Sequence, residues 1–197
     1  MNDLILVGIQ GSGKGTQARI LAEKFGYQIF ETGGELRNIA KEESELGRKV
    51  KEITERGDLV PNEIVMEIVE NFLSKVSNDT PVIFDGIPRS DSQRISLEDL
   101  LNRHERKFSV LEVKLSEKES MQRMMKRAEI ENRADDTPEV MKKRIANFYT
   151  HTQPLLDAWK DRLITVDGDQ PIEEVSKEIL EKLNLVSGRL LSKIQKS

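Results

Sequence analysis

The chain has 197 residues, which suits one domain (1–197), and its formal net charge of −4 gives no reason to expect a nucleic-acid partner. It contains no cysteine, which excludes disulfides and a cysteine-bound structural zinc and fits a reducing compartment. No apolar run approaches the length of a membrane span and no cleavable leader precedes the first strand, so we expect a cytoplasmic protein without membrane partners.

Short apolar runs alternate with amphipathic segments along the chain. The runs with strand character cover residues 4–7, 28–30, 82–84, 108–115 and 163–166. Between them, apolar residues recur at helical spacing, as from Ile64 to Val76. Strands that alternate with helices form parallel sheets, and such sheets bind ligands at the carboxyl ends of the strands. The sequence therefore predicts an α/β fold in which helices cover both faces of a five-stranded parallel sheet.

Several residues mark helix boundaries. Ser116 with Glu119 forms a capping box, which predicts a helix start. The pair Thr137-Pro138 predicts another start, and Pro154 should kink or interrupt the helix that begins there. The leucine-containing tail after Leu183 is expected to form a further packed helix.

The first strand leads into Gly8-Ile9-Gln10-Gly11-Ser12-Gly13-Lys14-Gly15-Thr16, which opens an amphipathic segment. A strand, a glycine-rich turn and a helix start give the context in which G-x-x-x-x-G-K binds phosphate. Glycines let the backbone approach an anion closely, and the N–H groups at the helix start point at it. Lys14 adds a mobile positive charge for the outer phosphates. The alternative, a plain turn with a surface lysine, is disfavoured by the flanking strand and helix.

The third predicted strand ends in Asp85, followed by Gly86-Ile87-Pro88-Arg89. A carboxylate at this strand end lies beside the phosphate loop, where it can hold Mg²⁺ directly or through water. The generic loop has a hydroxyl residue directly after its lysine, and this chain has Gly15 there, so Asp85 is its best metal anchor. A lone aspartate at a strand end is usually a turn residue, but the upstream loop favours the functional interpretation. Arg89, after a rigid proline, can present a planar fork to phosphate.

Residues 32–60 do not fit a simple crossover between strands. They are typical of two short helices, at 34–43 and 46–56, rich in charge and poor in large apolar residues. Such a segment buries little surface and should move easily. An ordinary surface hairpin of helices is the alternative.

Four arginines recur in the second half of the chain. Arg123 and Arg127 lie four apart on one helical face, Arg133 follows a short non-helical link, and Arg144 lies on the next helix. They are compatible with a solvated, salt-bridged surface, the commoner fate of charge-rich helices. Against that, phosphoryl transfer needs cations arranged around a group whose oxygens carry spread negative charge. The spacing alone leaves both interpretations open.

These motifs together resemble those of the adenylate kinase family of nucleoside monophosphate kinases. The segment Thr32-Gly33-Gly34-Glu35-Leu36-Arg37 is similar to the family's T-G-D-x-L-R. The segment Asp85-Gly86-Ile87-Pro88-Arg89, with Gln93 four positions later, is similar to D-G-F-P-R followed by glutamine. The similarity runs from about Leu4 to Leu183, which is nearly the whole chain.

The resemblance implies a P-loop three-layer fold with two mobile parts. One is a helical segment that binds the nucleoside monophosphate, at about 31–60, and the other is a lid at about 126–136. Only five residues separate Arg127 from Arg133, so the lid resembles the short form. The resemblance also implies a monomer.

The activity implied by the resemblance is reversible, Mg²⁺-dependent phosphoryl transfer from ATP to AMP, giving two ADP. The implied ATP-binding residues are Gly11, Ser12, Gly13, Lys14, Gly15, Thr16, Arg123, Arg127 and Gln170. The implied AMP-binding residues are Thr32, Arg37, Asp58, Leu59, Val60, Gly86, Ile87, Pro88, Arg89, Gln93, Arg133 and Arg144. The implied catalytic residues are Lys14, Asp85, Arg89, Arg127, Arg133 and Arg144, with Mg²⁺ held near Asp85 through water.

The chain departs from the family pattern at three positions. Gln10 replaces the usual proline at the loop entry, and Gly34 replaces the usual aspartate at the start of a helix. Ile87 replaces phenylalanine, which we interpret as a packing change.

Two other functions compete with this interpretation. A UMP/CMP kinase usually carries a small apolar residue in place of Thr32 and asparagine in place of Gln93, so both positions favour AMP. A nucleotide-dependent switch of the GTPase kind needs Asn-Lys-x-Asp to read guanine and Asp-x-x-Gly to sense the γ-phosphate. Neither string occurs in the chain.

Overall fold

The computed structural model describes residues 2–131 and 137–194. Its centre is a sheet of five parallel strands in the order β2-β3-β1-β4-β5. The strands are β1 (Asp3–Val7), β2 (Gln28–Glu31), β3 (Val82–Asp85), β4 (Phe108–Lys114) and β5 (Leu163–Asp167). The predicted sheet is confirmed, and each predicted strand boundary lies within one residue of the observed one.

Helices connect the strands. They are α1 (Lys14–Phe25), α2 (Thr32–Ile39), α3 (Glu45–Glu55), α4 (Asn62–Leu73), α5 (Asp91–Arg103), α6 (Glu117–Glu131), α7 (Pro138–Asn147), α8 (Leu155–Ala158) and α9 (Ile172–Ile194). Two predicted helix starts are confirmed by their caps. The Ser116 hydroxyl accepts a hydrogen bond from the Glu119 N–H at 3.2 Å, and Thr137 accepts one from the Val140 N–H at 3.3 Å.

The strands divide the interior into two apolar layers, because successive side chains of a strand point to opposite faces of the sheet. Leu4 and Leu6 of β1 pack against α1 and α9 on one face. Ile5 and Val7 pack on the other face, in a cluster to which α4, α5, α6 and α7 contribute. The predicted three-layer arrangement is thereby confirmed.

The chain around Pro154 is interrupted, as predicted. Helix α7 continues into a π-helical turn at Phe148–Thr152, and Pro154 then caps the short helix α8. The Thr152 hydroxyl donates to the Arg89 carbonyl oxygen at 3.0 Å, so this turn is tied to the loop after β3.

The tail after Leu183 differs from its prediction. It is not a separate helix, because α9 runs without a break from Ile172 to Ile194. No helix in the described part of the chain, α9 included, combines the length and apolar character that a membrane span requires.

A buried ion pair ties the strands together at the end of the sheet opposite the carboxyl ends. The Arg106 Nε lies 2.7 Å from Asp3 Oδ2, and Asp3 Oδ1 accepts a hydrogen bond from the Val82 N–H at 2.8 Å. The Arg106 Nη2 also donates to the Thr80 carbonyl oxygen at 2.6 Å. Because its charges are paired and hydrogen-bonded, this pair can be buried without large cost.

Candidate active site

The loop between β1 and α1 folds around the Lys14 side chain. Gly11 and Gly13 have φ angles of 77° and 97°, a region that strongly favours glycine. The Lys14 Nζ donates to the carbonyl oxygens of Gly8 at 2.7 Å and Ile9 at 3.1 Å. Its ammonium group therefore lies at the centre of the loop, with the N–H groups of the α1 start beside it.

A cavity of about 450 Å³ opens at the carboxyl ends of β1, β2 and β3. This is the edge at which open parallel sheets bind ligands. Most of the predicted site residues line it: Gly11, Gly13, Lys14, Gly15, Thr16, Thr32, Arg37, Asp58, Leu59, Val60, Asp85, Gly86, Pro88, Arg89, Gln93, Arg123, Arg127 and Arg144. The fold thus brings together residues as far apart in sequence as Gly11 and Arg144 around one cavity.

Four predicted site residues have other positions. Ser12 is buried under the loop, where its hydroxyl lies 3.4 Å from the Lys14 Nζ. Ile87 is 1% exposed and belongs to the apolar core. The Gln170 amide donates to Glu178 at 3.1 Å rather than lining the cavity. Arg133 lies outside the described residues, and with it residues 132–136 of the predicted lid.

Helix α6 continues to Glu131, so residues 128–131 are helical and the predicted non-helical link after Arg127 does not begin there. The side chain of Arg123 on this helix is held on three sides. It donates to Glu119 at 3.0 Å and to the Gly168 carbonyl oxygen at 2.9 Å, and it lies 3.5 Å from Asp169. Arg123 therefore joins α6 to the loop after β5 at the rim of the cavity.

Two polar side chains are buried at the end of the cavity near β2 and β3. The Gln93 Oε1 accepts a hydrogen bond from the Arg89 N–H at 2.8 Å. The Thr32 hydroxyl is buried, and none of the described residues offers it a hydrogen-bond partner. Since buried polar groups are nearly always hydrogen-bonded, this hydroxyl indicates that a ligand completes the site.

Three arginines converge on the same part of the cavity. Burial lowers the pKa of Arg89, and the charges of Arg144 and Arg37 lower it further, against the opposing charge of Asp85. Guanidinium groups this close together repel each other, and an anion bound among them lowers that repulsion. The arrangement therefore favours a phosphate group, which guanidinium groups bind through paired hydrogen bonds.

Asp85 is placed to hold Mg²⁺ beside the phosphate loop. Its Oδ2 would lie 3.4 Å from a Cβ at Gly15, so the carboxylate is in contact distance of the start of α1. Burial raises the pKa of Asp85, the Lys14 charge opposes this rise, and the Glu31 charge adds to it. No group of three or more metal-ligating side chains occurs among the described residues. One carboxylate with substrate phosphates and water is the usual environment of Mg²⁺, so these residues fit that ion.

Comparison with known proteins agrees with this geometry. The adenylate kinase family model matches residues 6–164. The chain is 34% identical over 189 residues to the adenylate kinase of Parabacteroides distasonis, covering 94% of this chain and all of the relative. It is 38% identical over 184 residues to the adenylate kinase of Maricaulis maris, covering 92% of this chain and 98% of the relative. The chain belongs to the adenylate kinase family.

The segment at 31–60 contacts helix α7. The Lys143 Nζ lies 2.5 Å from Asp58, which also pairs with Arg56 at 3.2 Å, and these partners lower the pKa of Asp58. The Asn147 amide donates to the Gly57 carbonyl oxygen at 3.0 Å. The segment thus forms one wall of the cavity and is more than a hairpin on the surface.

The predictions missed two charged residues that line the cavity, Arg19 and Glu31. The Glu31 Oε1 accepts a hydrogen bond from the Arg37 Nη2 at 2.9 Å. Glu31 ends a strand, which was the criterion that selected Asp85, but the predicted strand stopped one residue earlier. Arg19 follows Gly15 by one helical turn, and that spacing was the available signal.

Proposed function

We propose that the protein transfers a phosphoryl group from Mg²⁺-bound ATP to AMP, reversibly, to give two ADP. One observation carries the proposal: a single cavity holds a phosphate loop at one end and the buried pair Thr32 and Gln93 at the other, with arginines between. Family membership supports it, since the relatives are adenylate kinases. We place the protein in the cytoplasm, as a monomer acting on free nucleotides.

In this proposal the two nucleotides bind at opposite ends of the cavity. ATP lies on the phosphate loop, with Lys14, Arg123 and Arg127 against its phosphates and base. AMP lies at the other end, with Arg37 and Arg89 on its phosphate. The segment at about 31–60 and the lid at about 126–136 close over the nucleotides and exclude water.

The reaction needs no general base. A phosphate monoester has its second pKa near 6, so the attacking AMP oxygen is already largely ionised at neutral pH. The protein must instead overcome repulsion between two polyanions, align them and keep water out. Lys14, Arg89, Arg127 and Arg144 act as electrostatic catalysts around the transferring group.

Asp85 would hold Mg²⁺ through water. When bound, the ion neutralises negative charge on the phosphates of ATP. Asp85 lies against Gly15 of the loop, so an ion held by its carboxylate would lie beside the phosphates bound there.

An assay of ADP formation with ATP, Mg²⁺ and each of AMP, CMP, UMP and GMP tests the proposal. We expect AMP to be the preferred acceptor by a wide margin. Equal turnover of CMP or UMP would identify a pyrimidine nucleotide kinase instead. Nucleotide binding without turnover of any acceptor would favour a binding switch.

A compound in which five phosphates join two adenosines should bind far more tightly than ATP or AMP, because one molecule fills both sites. On binding, it should protect amides at 31–60 and 126–136 from hydrogen exchange. Calorimetry and exchange followed by mass spectrometry measure the two effects. Tight binding without protection in either segment would show that the moving parts are assigned wrongly.

The pH dependence should report the charge of Lys14. Burial lowers the pKa of Lys14 to about 8, with Arg89 and Arg127 adding to the decrease against Asp85. A lowered lysine pKa means that the charged form is present below about pH 8 and is lost above it. Therefore kcat/KM for ATP should fall as the pH rises through about 8, since this ratio reports the enzyme before ATP binds.

Bound phosphate favours the charged lysine, so kcat itself should persist to higher pH than kcat/KM. Rate profiles between about pH 6 and 10 at saturating AMP measure both. In Lys14→Arg the guanidinium stays charged over this range, and whatever activity remains should show no such fall. A decrease of the same shape in Lys14→Arg would assign the titration to another group.

A further inference from the structure

Glu31 lies next to Asp85, the residue proposed to hold Mg²⁺. It is the last residue of β2, and the parallel register pairs it directly with Asp85, the last residue of β3. Paired residues on neighbouring strands, which are about 4.8 Å apart, project their side chains from the same face of the sheet. The Asp85 carboxylate approaches Gly15 of α1, the Glu31 carboxylate approaches Gly34 of α2, and both residues line the cavity.

The Glu31 carboxylate also covers Gly34, the position at which the family motif carries aspartate. A Cβ built on Gly34 would lie 3.6 Å from both Cδ and Oε2 of Glu31. A side chain at position 34 would thus be in van der Waals contact with the Glu31 carboxylate. Position 34 itself carries no acid, and Glu31, at the end of the strand, brings a carboxylate beside it.

The surroundings of Glu31 indicate a ligand rather than a purely structural carboxylate. The side chain is 48% exposed and pairs with Arg37, a cation assigned to the AMP phosphate. The adjacent Thr32 hydroxyl is buried and has no partner among the described residues. Arg37 neutralises Glu31 on one side, and on the other side the neighbouring carboxylates of Glu31 and Asp85 attract a further cation.

We propose that Glu31 is a positioning residue for nucleotide-bound Mg²⁺, which with Asp85 fixes the water shell of the ion from the end of β2. Mg²⁺ gives up its water reluctantly and keeps several molecules, so a carboxylate can hold it without direct contact. The inference rests on the proposed function, because it needs the nucleotide to bring the ion. It assigns to Glu31 the acid that the family motif places at position 34.

Calorimetric titration with the five-phosphate compound, in Mg²⁺ and separately in EDTA, tests this role without measuring turnover. Wild type should gain affinity from Mg²⁺. In Glu31→Gln the increase in affinity that Mg²⁺ produces should be smaller by a factor of about ten or more, because carboxylates that hold a metal through its ligands typically contribute that much. In EDTA the same variant should bind as tightly as wild type or more tightly, because a negative charge near the phosphates has been removed.

A relocated carboxylate gives the decisive comparison. The double variant Glu31→Ser/Gly34→Asp should recover most of the Mg²⁺ gain, whereas Glu31→Ser/Gly34→Ala should not. The two differ only in the carboxylate, and both remove the helical glycine. Glu35→Gln, which removes an acid of α2 outside the cavity, should keep the wild-type gain. Thermal unfolding shows that each variant is folded.

Two results would overturn the inference. If Glu31→Gln weakens binding by the same factor in Mg²⁺ and in EDTA, Glu31 acts only through Arg37 or the fold. If the double variants with Gly34→Asp and with Gly34→Ala behave alike, no carboxylate is needed at this place. A wild type that fails to bind the compound at all would instead overturn the proposed function as well.

Discussion

Replacing Lys14 by methionine should lower kcat by a factor of about one hundred or more while the fold survives. Methionine has similar length and no charge, so it can occupy the centre of the loop without donating to Gly8 and Ile9. The transferring phosphoryl group carries negative charge spread over its oxygens, and Lys14 is the cation that the loop holds closest to that position. Steady-state kinetics at saturating ATP and AMP measure the loss.

A matched substitution separates this effect from a change in α1. Lys24→Met alters the last turn of the same helix, where the ammonium lies 5.8 Å from the Phe25 ring and away from the cavity. Its kcat should stay near that of wild type. Turnover close to normal in a folded Lys14→Met variant would contradict the catalytic assignment.

The sheet could be predicted from the sequence because its strands carry two independent signals. Each is a short apolar run, as fully buried strands require, and each is separated from the next by helical spacing or turn residues. Val82 to Phe84, for example, are completely buried, and Asp85 then ends the strand at the cavity. The apolar run coincides with the buried part of the strand and the aspartate with its end, so the predicted strand boundaries were accurate.

The helices at 32–60 were less predictable. The first begins at Thr32 and ends at Ile39, whereas the pattern placed it at 34–43. Its end is set by a tight corner in which Gly47 of α3 packs against the carbonyl oxygens of Glu42 and Ile39. That contact between two helices leaves no trace in hydrophobic periodicity, because the residues between them are charged or small.

The partners of the charged site residues could not be predicted from sequence. Arg37 pairs with Glu31, and Asp58 with Lys143, across 6 and 85 positions of the chain. The sequence shows which charged residues are present, but their ion-pair partners depend on the three-dimensional fold. For this reason the sequence predicted most of the arginines that line the cavity, while Glu31 and Arg19 were missed.

The second large effect should come from Gln93. Its side chain is 4% exposed, and its Oε1 accepts from the Arg89 N–H at 2.8 Å. A flipped amide would place two donors against each other at this contact, so the oxygen position is fixed. The Nε2 then remains as a donor for a ring nitrogen of adenine, and the second lone pair of Oε1 can accept from the exocyclic amine.

Guanine presents a carbonyl and a ring N–H at the corresponding edge, the reverse of what this fixed amide can bind. A mismatched buried polar pair costs about 1–3 kcal/mol, which corresponds to roughly tenfold to a hundredfold in preference. Gln93→Leu should therefore lower kcat/KM for AMP by about that factor and change the KM for ATP little. Gln153→Leu, which changes an exposed glutamine outside the cavity, is the matched control.

Loss of the amide also leaves the Arg89 N–H without its acceptor, and a displaced Arg89 would weaken binding of every nucleoside monophosphate. The two causes differ in their dependence on the base. A disturbed Arg89 lowers kcat/KM for AMP, GMP, CMP and UMP by similar factors, because it contacts the phosphate they share. Loss of the hydrogen bonds to adenine lowers kcat/KM for AMP alone. The ratio of kcat/KM for AMP to kcat/KM for the other acceptors then becomes smaller. We expect the narrowed ratio, and an unchanged AMP preference in Gln93→Leu would remove Gln93 from base recognition.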